Sequence, residues 1–311
     1  ADDYCSFFFN PFRNKWCFSI KKGTSRGRSR YYFESDEFLK GADWKKSVFW
    51  TCTNKLDQPE AQGGYTGYLD HVGEPAQLYS LNAVAYESLM IGMHYIHRGP
   101  KNEICDKGKF PKLIDLELGF SRDGFHWDRP DRTPFIASSR TEGTWDRAYL
   151  HSTAGVFVVL DDQLVFPYMG TSGIAPSGHR GMYTGGSIGL ATLRRDGFAS
   201  MDGPGELTTR PVKFQGKHLF VNVNGEVRVE VLDEAGKVLK SSKVASGDET
   251  KRKIEWADGI DLSDLTDKPV RFRFHQKKGS LYAFWVTPDE NGASGGYVGA
   301  GGPAFDGVRD R

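Results

Sequence analysis

The sequence predicts an all-β protein, with β-propeller blades over residues 1–203 and a small antiparallel β-sandwich over 204–311 that ends in a glycine-rich tail. Three observations predict it: apolar residues recur with a period of two, one three-strand pattern appears three times, and the texture of the chain changes after Gly203. Trp16, Phe18 and Ile20 alternate with Cys17 and Ser19, and Leu89, Ile91, Met93 and Tyr95 alternate with Met90, Gly92 and His94. Alternation of that kind gives a strand two unlike faces. Gly, Pro and Asx/Ser clusters punctuate the chain too closely for long helices.

The repeated unit is a strand, a tight turn, a second strand, a loop of variable length and a third strand ending in Asp-x-Phe. The first unit runs Ser6-Phe-Phe-Phe-Asn-Pro, then Asn14 to Ile20, then Ser29 to Phe38; the second runs Asn82 to Glu87, Ser88 to His97 and Asp115 to Phe125; the third runs Gly155 to Leu160, Gln163 to Met169 and Ser187 to Phe198. Their aspartates, Asp36, Asp123 and Asp196, are 87 and 73 residues apart. The excess over a minimal blade lies in the middle loops. Antiparallel sheets repeating at such a period indicate a propeller, and an aspartate at a strand end caps the following turn through its own backbone. Rings close with roughly 4–8 blades, and beyond the three units only Glu206 to Phe214 can add an outer strand. Upstream blades are therefore expected to be missing or cut away. A chain opening on Ala1 reads as a processed or trimmed product from which any signal peptide has gone; a secreted or periplasmic location is expected.

After Gly203, Leu219 to Val223, Val227 to Leu232 and Val270 to Phe274 alternate strictly, Leu281 to Val286 is apolar on both faces, and Asp233-Glu-Ala-Gly236 is a hairpin turn. That is the texture of a sandwich of about 100 residues.

Composition removes several function classes. Lys+Arg 41 against Asp+Glu 40 leaves +1, no field to gather nucleic acid or an anionic membrane. No apolar run approaches the roughly 18–20 residues of a membrane span. The four cysteines include no Cys-x-x-Cys pair. A first hairpin with Phe9 opposite Trp16 sets Cys17 against Phe8, away from Cys5. His94 and His97 are three apart on a strand and face opposite ways, so no metal site is expected. No nucleophile elbow, P-loop or dinucleotide fingerprint occurs, and Gly295 to Gly302 has no following helix to complete a phosphate cradle. No cofactor is expected.

The strings Asn10-Pro-Phe-Arg-Asn-Lys-Trp16, Ala83-Val-Ala-Tyr-Glu-Ser-Leu-Met90, Gly119-Phe-Ser-Arg-Asp-Gly-Phe-His-Trp127 and Gly189-Leu-Ala-Thr-Leu-Arg-Arg-Asp-Gly-Phe198 resemble bacterial proteins related to glycoside hydrolase families 32 and 43. The resemblance spans most of the chain and is strongest from Leu78 to about Val223. It implies a five-bladed propeller followed by a small sandwich, two blades preceding this segment, a carbohydrate substrate from plant, algal or microbial glycan, and acidic side chains at innermost strand starts pointing into a central funnel.

Glycoside cleavage needs a carboxylic acid to protonate the leaving oxygen and a second carboxylate as nucleophile or base. Asp3, beside Asp2, stands just before the first strand of unit one. Two adjacent acids near a terminus are otherwise simply solvated. The comparable position of unit two is Asn82, a neutral amide that can bond a sugar hydroxyl or close a turn, where the resemblance leads one to expect an acid. Unit three opens with Glu142-Gly-Thr-Trp-Asp146-Arg-Ala-Tyr-Leu-His151; Asp146 or Glu142 would be its general acid if burial raised the pKa. Tyr79, Trp145 and Tyr149 offer flat faces for a sugar ring, Arg98 a forked donor, and His151 a hydroxyl contact or a buried structural role. The rival reading is a non-catalytic carbohydrate-binding or scaffold propeller, and Asn82 favours it.

Overall fold

The computed structural model describes residues 3–41, 43–58, 75–153 and 155–311, which form two compact units. One gathers the residues up to Val158, 165–191 and Tyr297–Gly301; the other gathers 159–164, 192–296 and 302–311. Nearly all regular structure is antiparallel strand. Among the described residues one α-helix occurs, α1 (Asn102–Gly108), and no helix is long and apolar enough to cross a membrane.

The first sheet is a meander of β1 (Ser6–Asn10), β2 (Lys15–Thr24), β3 (Gly27–Ser35) and β4 (Val48–Thr51). Its hairpin pairs Phe9 with Trp16 and Phe8 with Cys17, and all four cysteines are free thiols. The period-two pattern explains the faces. Phe8, Cys17, Tyr32 and Trp50 turn inward and pack with Leu81, Ala83, Ala85 and Met90 of the second sheet, while Phe7 and Phe9 face outward and are exposed.

The second sheet contains β5 (Gln77–Glu87), β6 (Leu89–Gly99) and β7 (Leu113–Ser121). Its fourth strand comes from the glycine-rich tail: Tyr297 pairs with Glu87 and Val298 with Tyr86. The boundary expected at 203/204 assigns that tail to the C-terminal domain, but the open edge of β5 draws it back to the first unit, since unpaired strand edges seek partners. The third sheet is ordered β11-β10-β8, with β8 (Ala148–Ser152), β9 (Val158–Leu160), β10 (Gln163–Thr171) and β11 (Gly186–Arg194); β9 also pairs with β10.

The repeated aspartates cap turns where the second unit is clearest. Asp123 Oδ1 accepts from the backbone N–H groups of Phe125 (2.9 Å) and His126 (2.8 Å), and Asn10 Nδ2 donates to the Asp123 carbonyl at 2.7 Å. Gly124 between them has φ +72°, and a side chain there would run into Asn10. These bonds hold the carboxyl of Asp123 below its ordinary range, against the opposing effect of partial burial.

In the other unit, the four short strands expected from the sequence are two long ones, β14 (His218–Leu232) and β17 (Arg271–Thr287), paired along their whole length. β15 (Val238–Ser241) and β16 (Ala245–Lys253) share the far edge of β14, and β12 (Met201–Asp202) and β13 (Gly205–Thr208) share that of β17, so one hydrogen-bonded sheet of six strands results. Gly225 and Gly279 sit opposite each other with φ +130° and +84°. Only glycine takes such angles freely, and there the sequence pattern breaks while the pairing continues. The core is Val221, Val223, Val227, Val229 and Val231 against Phe272, Phe274, Leu281 and Trp256.

Candidate functional site

The starts of several strands in the first unit converge on Tyr79, near the start of β5. Two of the converging tyrosines carry unusual backbone: Tyr4, just before β1, has φ 61°, and Tyr149, inside β8, has φ 56°. A left-handed φ on a bulky residue persists only where its surroundings over-determine it. For Tyr149 the cause is a bulge. Thr171 pairs with Ala148 and Met169 with His151, leaving two residues of β8 against one of β10.

For Tyr4 the anchor is Arg30 of β3, which is fully buried. Its guanidinium donates to the carbonyls of Tyr4 and Tyr79 at 3.1 Å each, to Ser19 Oγ at 2.9 Å and to the Ser19 carbonyl. Burial pulls its pKa down to about 10, which still leaves it charged at neutral pH. One side chain therefore fixes the lead-in to β1 against the start of β5.

The rings interlock. Tyr79 Oη and Tyr149 Oη are 2.9 Å apart, and the Tyr4 phenol bonds His151 Nδ1. The His151 ring lies 4.4 Å from Tyr4, 5.8 Å from Tyr79, 5.6 Å from Tyr95 and 4.3 Å from Tyr149, centroid to centroid. Asn82 Nδ2 donates to Tyr95 Oη at 2.7 Å, and that hydroxyl donates to the Ser152 carbonyl at 2.7 Å. Tyr183 closes the outer side, 5.3 Å from Tyr149. It is held by the loop between β10 and β11, where Gly173 N–H bonds the Thr184 carbonyl at 2.9 Å.

Three cations surround these rings. Lys112 Nζ lies 5.4, 5.0 and 5.2 Å from the centroids of Tyr79, Tyr149 and Tyr183, close enough for cation–π attraction. Its ammonium donates to Asn102 Oδ1 of α1 at 2.9 Å, and burial, with the nearby Arg28 cation, pushes its pKa down to about 8. Lys21 Nζ is 5.4 Å and the Arg28 guanidinium 5.6 Å from the Tyr79 centroid; Lys21 pairs with Asp3, and Arg28 donates to Gln77 Oε1 at 2.9 Å. Burial keeps His151 and His97 neutral, each pushed down to about 3, and raises the phenols of Tyr4, Tyr95 and Tyr149 so that they stay protonated. His151 Nε2 and Ser80 Oγ are buried without a hydrogen-bond partner among the described residues. Chemically, the cluster offers flat aromatic faces, hydroxyl donors and acceptors, and positive charge.

Asp3, Tyr79, Asn82, Tyr149 and His151 thus meet here; Asp2 lies outside the described residues. Asp3 keeps a side chain 68% exposed beside the buried Lys21. The segment before β8 takes its contacts elsewhere: Glu142 pairs with Arg180 at 2.7 Å and Arg147 at 3.6 Å, the Trp145 ring lies 5.2 Å from Tyr168, and the Asp146 carbonyl accepts from Ser139 N–H at 3.1 Å. Exposed Glu142 is held below its ordinary range by Arg180, whereas a general acid needs the opposite shift. Arg98 is fully buried, bonding Glu117 at 2.6 Å, Asp115 at 3.3 Å and the Asp57 carbonyl at 3.0 Å. It belongs to an ion network inside the second sheet that also contains Arg129, Arg132 and Arg140. A search of strand starts for acids alone misses Tyr4, Lys21, Arg28, Arg30, Tyr95, Lys112 and Tyr183; the same search for cations would have found Lys112, one residue before β7. Among the described residues no group of three His, Cys, Asp or Glu gathers as a metal site would.

No family model and no curated protein matches the chain. Solved structures similar to it include a fructofuranosidase from Schwanniomyces occidentalis complexed with fructosylnystose (10% identity, TM-score 0.32, covering 90% of this chain and 68% of that one). A glycoside hydrolase family 43 arabinoxylan arabinofuranohydrolase from Bacillus subtilis is similar at 12% identity and TM-score 0.26, over 91% and 78%. A family 32 β-fructofuranosidase from Bombyx mori is similar at 8% identity and TM-score 0.29, over 96% and 66%. Overlays this loose decide neither fold nor chemistry, which rest on the residues above.

Proposed function

We propose that the chain is a carbohydrate-active, glycoside hydrolase-like protein that receives a sugar at the Tyr79 cluster. On this reading the three N-terminal sheets are propeller blades, the C-terminal six-stranded sheet stands in the place of the accompanying small sandwich, and the protein is exported to meet plant, algal or microbial glycan. The observation that carries it is the convergence of Tyr4, Tyr79, Tyr149 and His151, contributed by three different sheets, on one hydrogen-bonded aromatic patch. Such faces cover the apolar C–H side of a sugar ring, while Asn82, the phenols and the lysines match its hydroxyls.

Hydrolysis requires two carboxylates, and Asp3 is this cluster's contribution to that pair. The second reading is binding without cleavage. Asn82 favours it, because a neutral amide stands where the second sheet would supply an acid. Incubation with a panel of plant, algal and microbial glycans, with chromatography of the products, tests both. Cleavage abolished by Asp3→Asn supports the hydrolase; binding without products, unchanged by Asp3→Asn, supports the second reading. Absence of both binding and cleavage overturns the sugar site.

A further inference from the structure

The charges of the cluster do not balance. Lys21 has Asp3 as its partner, but Lys112 and Arg28 make their side-chain hydrogen bonds to the neutral groups Asn102 and Gln77. Lys112 is 1% exposed, and a buried ammonium is costly unless an opposite charge offsets its lost hydration. Aromatic faces supply part of that offset, and the carboxylates within electrostatic reach of the cluster, Asp3 and the exposed Asp106 near Tyr183, hydrogen-bond neither Lys112 nor Arg28. Buried His151 adds a ring nitrogen, Nε2, without a partner beside the same rings, 5.8 Å from the Tyr79 ring. A surface assembled for a neutral sugar needs hydroxyl partners but has no use for two cations with no carboxylate hydrogen-bonded to them. An anionic group on the sugar supplies the missing charge and accepts charge-assisted hydrogen bonds from both.

We propose that the Tyr79 cluster is specific for an acidic sugar, with the ring's carboxylate or sulfate ester held by Lys112 and Arg28 and its apolar face on Tyr149 and Tyr183. The proposal rests on the carbohydrate reading above and names its substrate class: acidic oligosaccharides such as uronates. It also gives Lys112 a role that turn or core packing does not explain, since a methionine would fill the same space without a charge to bury.

The test is calorimetric titration of the 311-residue chain with galacturonate, mannuronate and glucuronate oligosaccharides, each beside its carboxyl-reduced neutral counterpart, and with sulfated oligosaccharides beside their desulfated forms. The expected result is at least about a tenfold preference for one acidic member over its neutral counterpart, the scale of one charge-assisted hydrogen bond. Which family shows the preference separates carboxylate from sulfate. Lys112→Met and Arg28→Gln should each bring acidic and neutral affinities toward parity. Arg28 is only half-buried, so its variant decides the matter if Lys112→Met fails to fold. Equal affinity for acidic and neutral partners overturns the acidic specificity and leaves the sugar site standing. So does a preference untouched by the Arg28 variant. Failure of every oligosaccharide to bind overturns both.

Discussion

The phenol oxygens of Tyr79 and Tyr149 lie 2.9 Å apart although the residues are separated by 70 positions in the chain. That hydrogen bond ties the start of β5 to the bulge in β8, and the Tyr4–His151 bond ties the lead-in of the first sheet to the same bulge. The site is therefore a joint between sheets, and its shape depends on all three.

Tyr183 is the safest probe of binding. It is 58% exposed and touches the cluster through its ring alone. Tyr183→Ala should weaken sugar affinity by about tenfold, the value of one stacking face, while leaving the thermal midpoint within a degree or two of wild type. Titration beside a melting curve checks both.

Arg98 belongs to stability. Arg98→Met leaves Asp115 and Glu117 buried without one of their cations, at a cost of about 3–5 kcal/mol. Urea unfolding should show that loss, and the fraction still folded should bind sugar normally.

Low pH should destabilise the protein before its carboxylates titrate. His97 and His151 are pushed down to about 3, and His94 well below its ordinary value, all mainly by burial. Between pH 6.5 and 3 the unfolded chain binds protons at these positions and the folded chain does not. Stability is therefore full above 6.5 and falls with pH, by up to about 1.4 kcal/mol per unit for each histidine. Glu117, raised by burial, acts in the opposite sense above its ordinary value of about 4.5. Urea midpoints at pH 7 and 5 should show the fall, and His97→Gln should make it shallower.

Preference for acidic sugars should fade at alkaline pH. Lys112 is pushed down to about 8 by burial and by Arg28, with Lys21 acting in the same direction and Cys105 and Asp3 opposing; Asn102 and the rings of Tyr79, Tyr149 and Tyr183 complete its surroundings. The ammonium is present below 8 and lost above it. The ratio of acidic to neutral affinity should thus be higher at pH 7 than at pH 9, and flat in Lys112→Met.

The sequence makes the strands legible because sheet faces are written in alternation: Phe8 and Cys17 inward, Phe7 and Phe9 outward. A search around strand starts brings Tyr79, Asn82, Tyr149 and His151 into view, although β5 begins at Gln77, five residues before Asn82, and β8 ends one residue after His151, whereas the sequence pattern begins those strands at Asn82 and Gly155. Three things were hidden. The merging of short strands into β14 and β17 depends on Gly225 and Gly279 sitting opposite each other, which is a pairing fact. The return of Tyr297 and Val298 to β5 depends on an open sheet edge elsewhere in the chain. Arg30 looks like any strand arginine, yet its partners Tyr4 and Tyr79 come from distant segments. Arg98 misled for the same reason in reverse, since a forked donor suited to a ligand is equally suited to buried carboxylates.

A crystal structure of the chain with a bound oligosaccharide tests the central claim most directly. The account predicts a sugar ring against Tyr149 and Tyr183, within hydrogen-bond reach of Lys112. A sugar seated only in the open groove lined by Arg13, Phe33, Phe125 and His126, with the Tyr79 cluster empty, would contradict it.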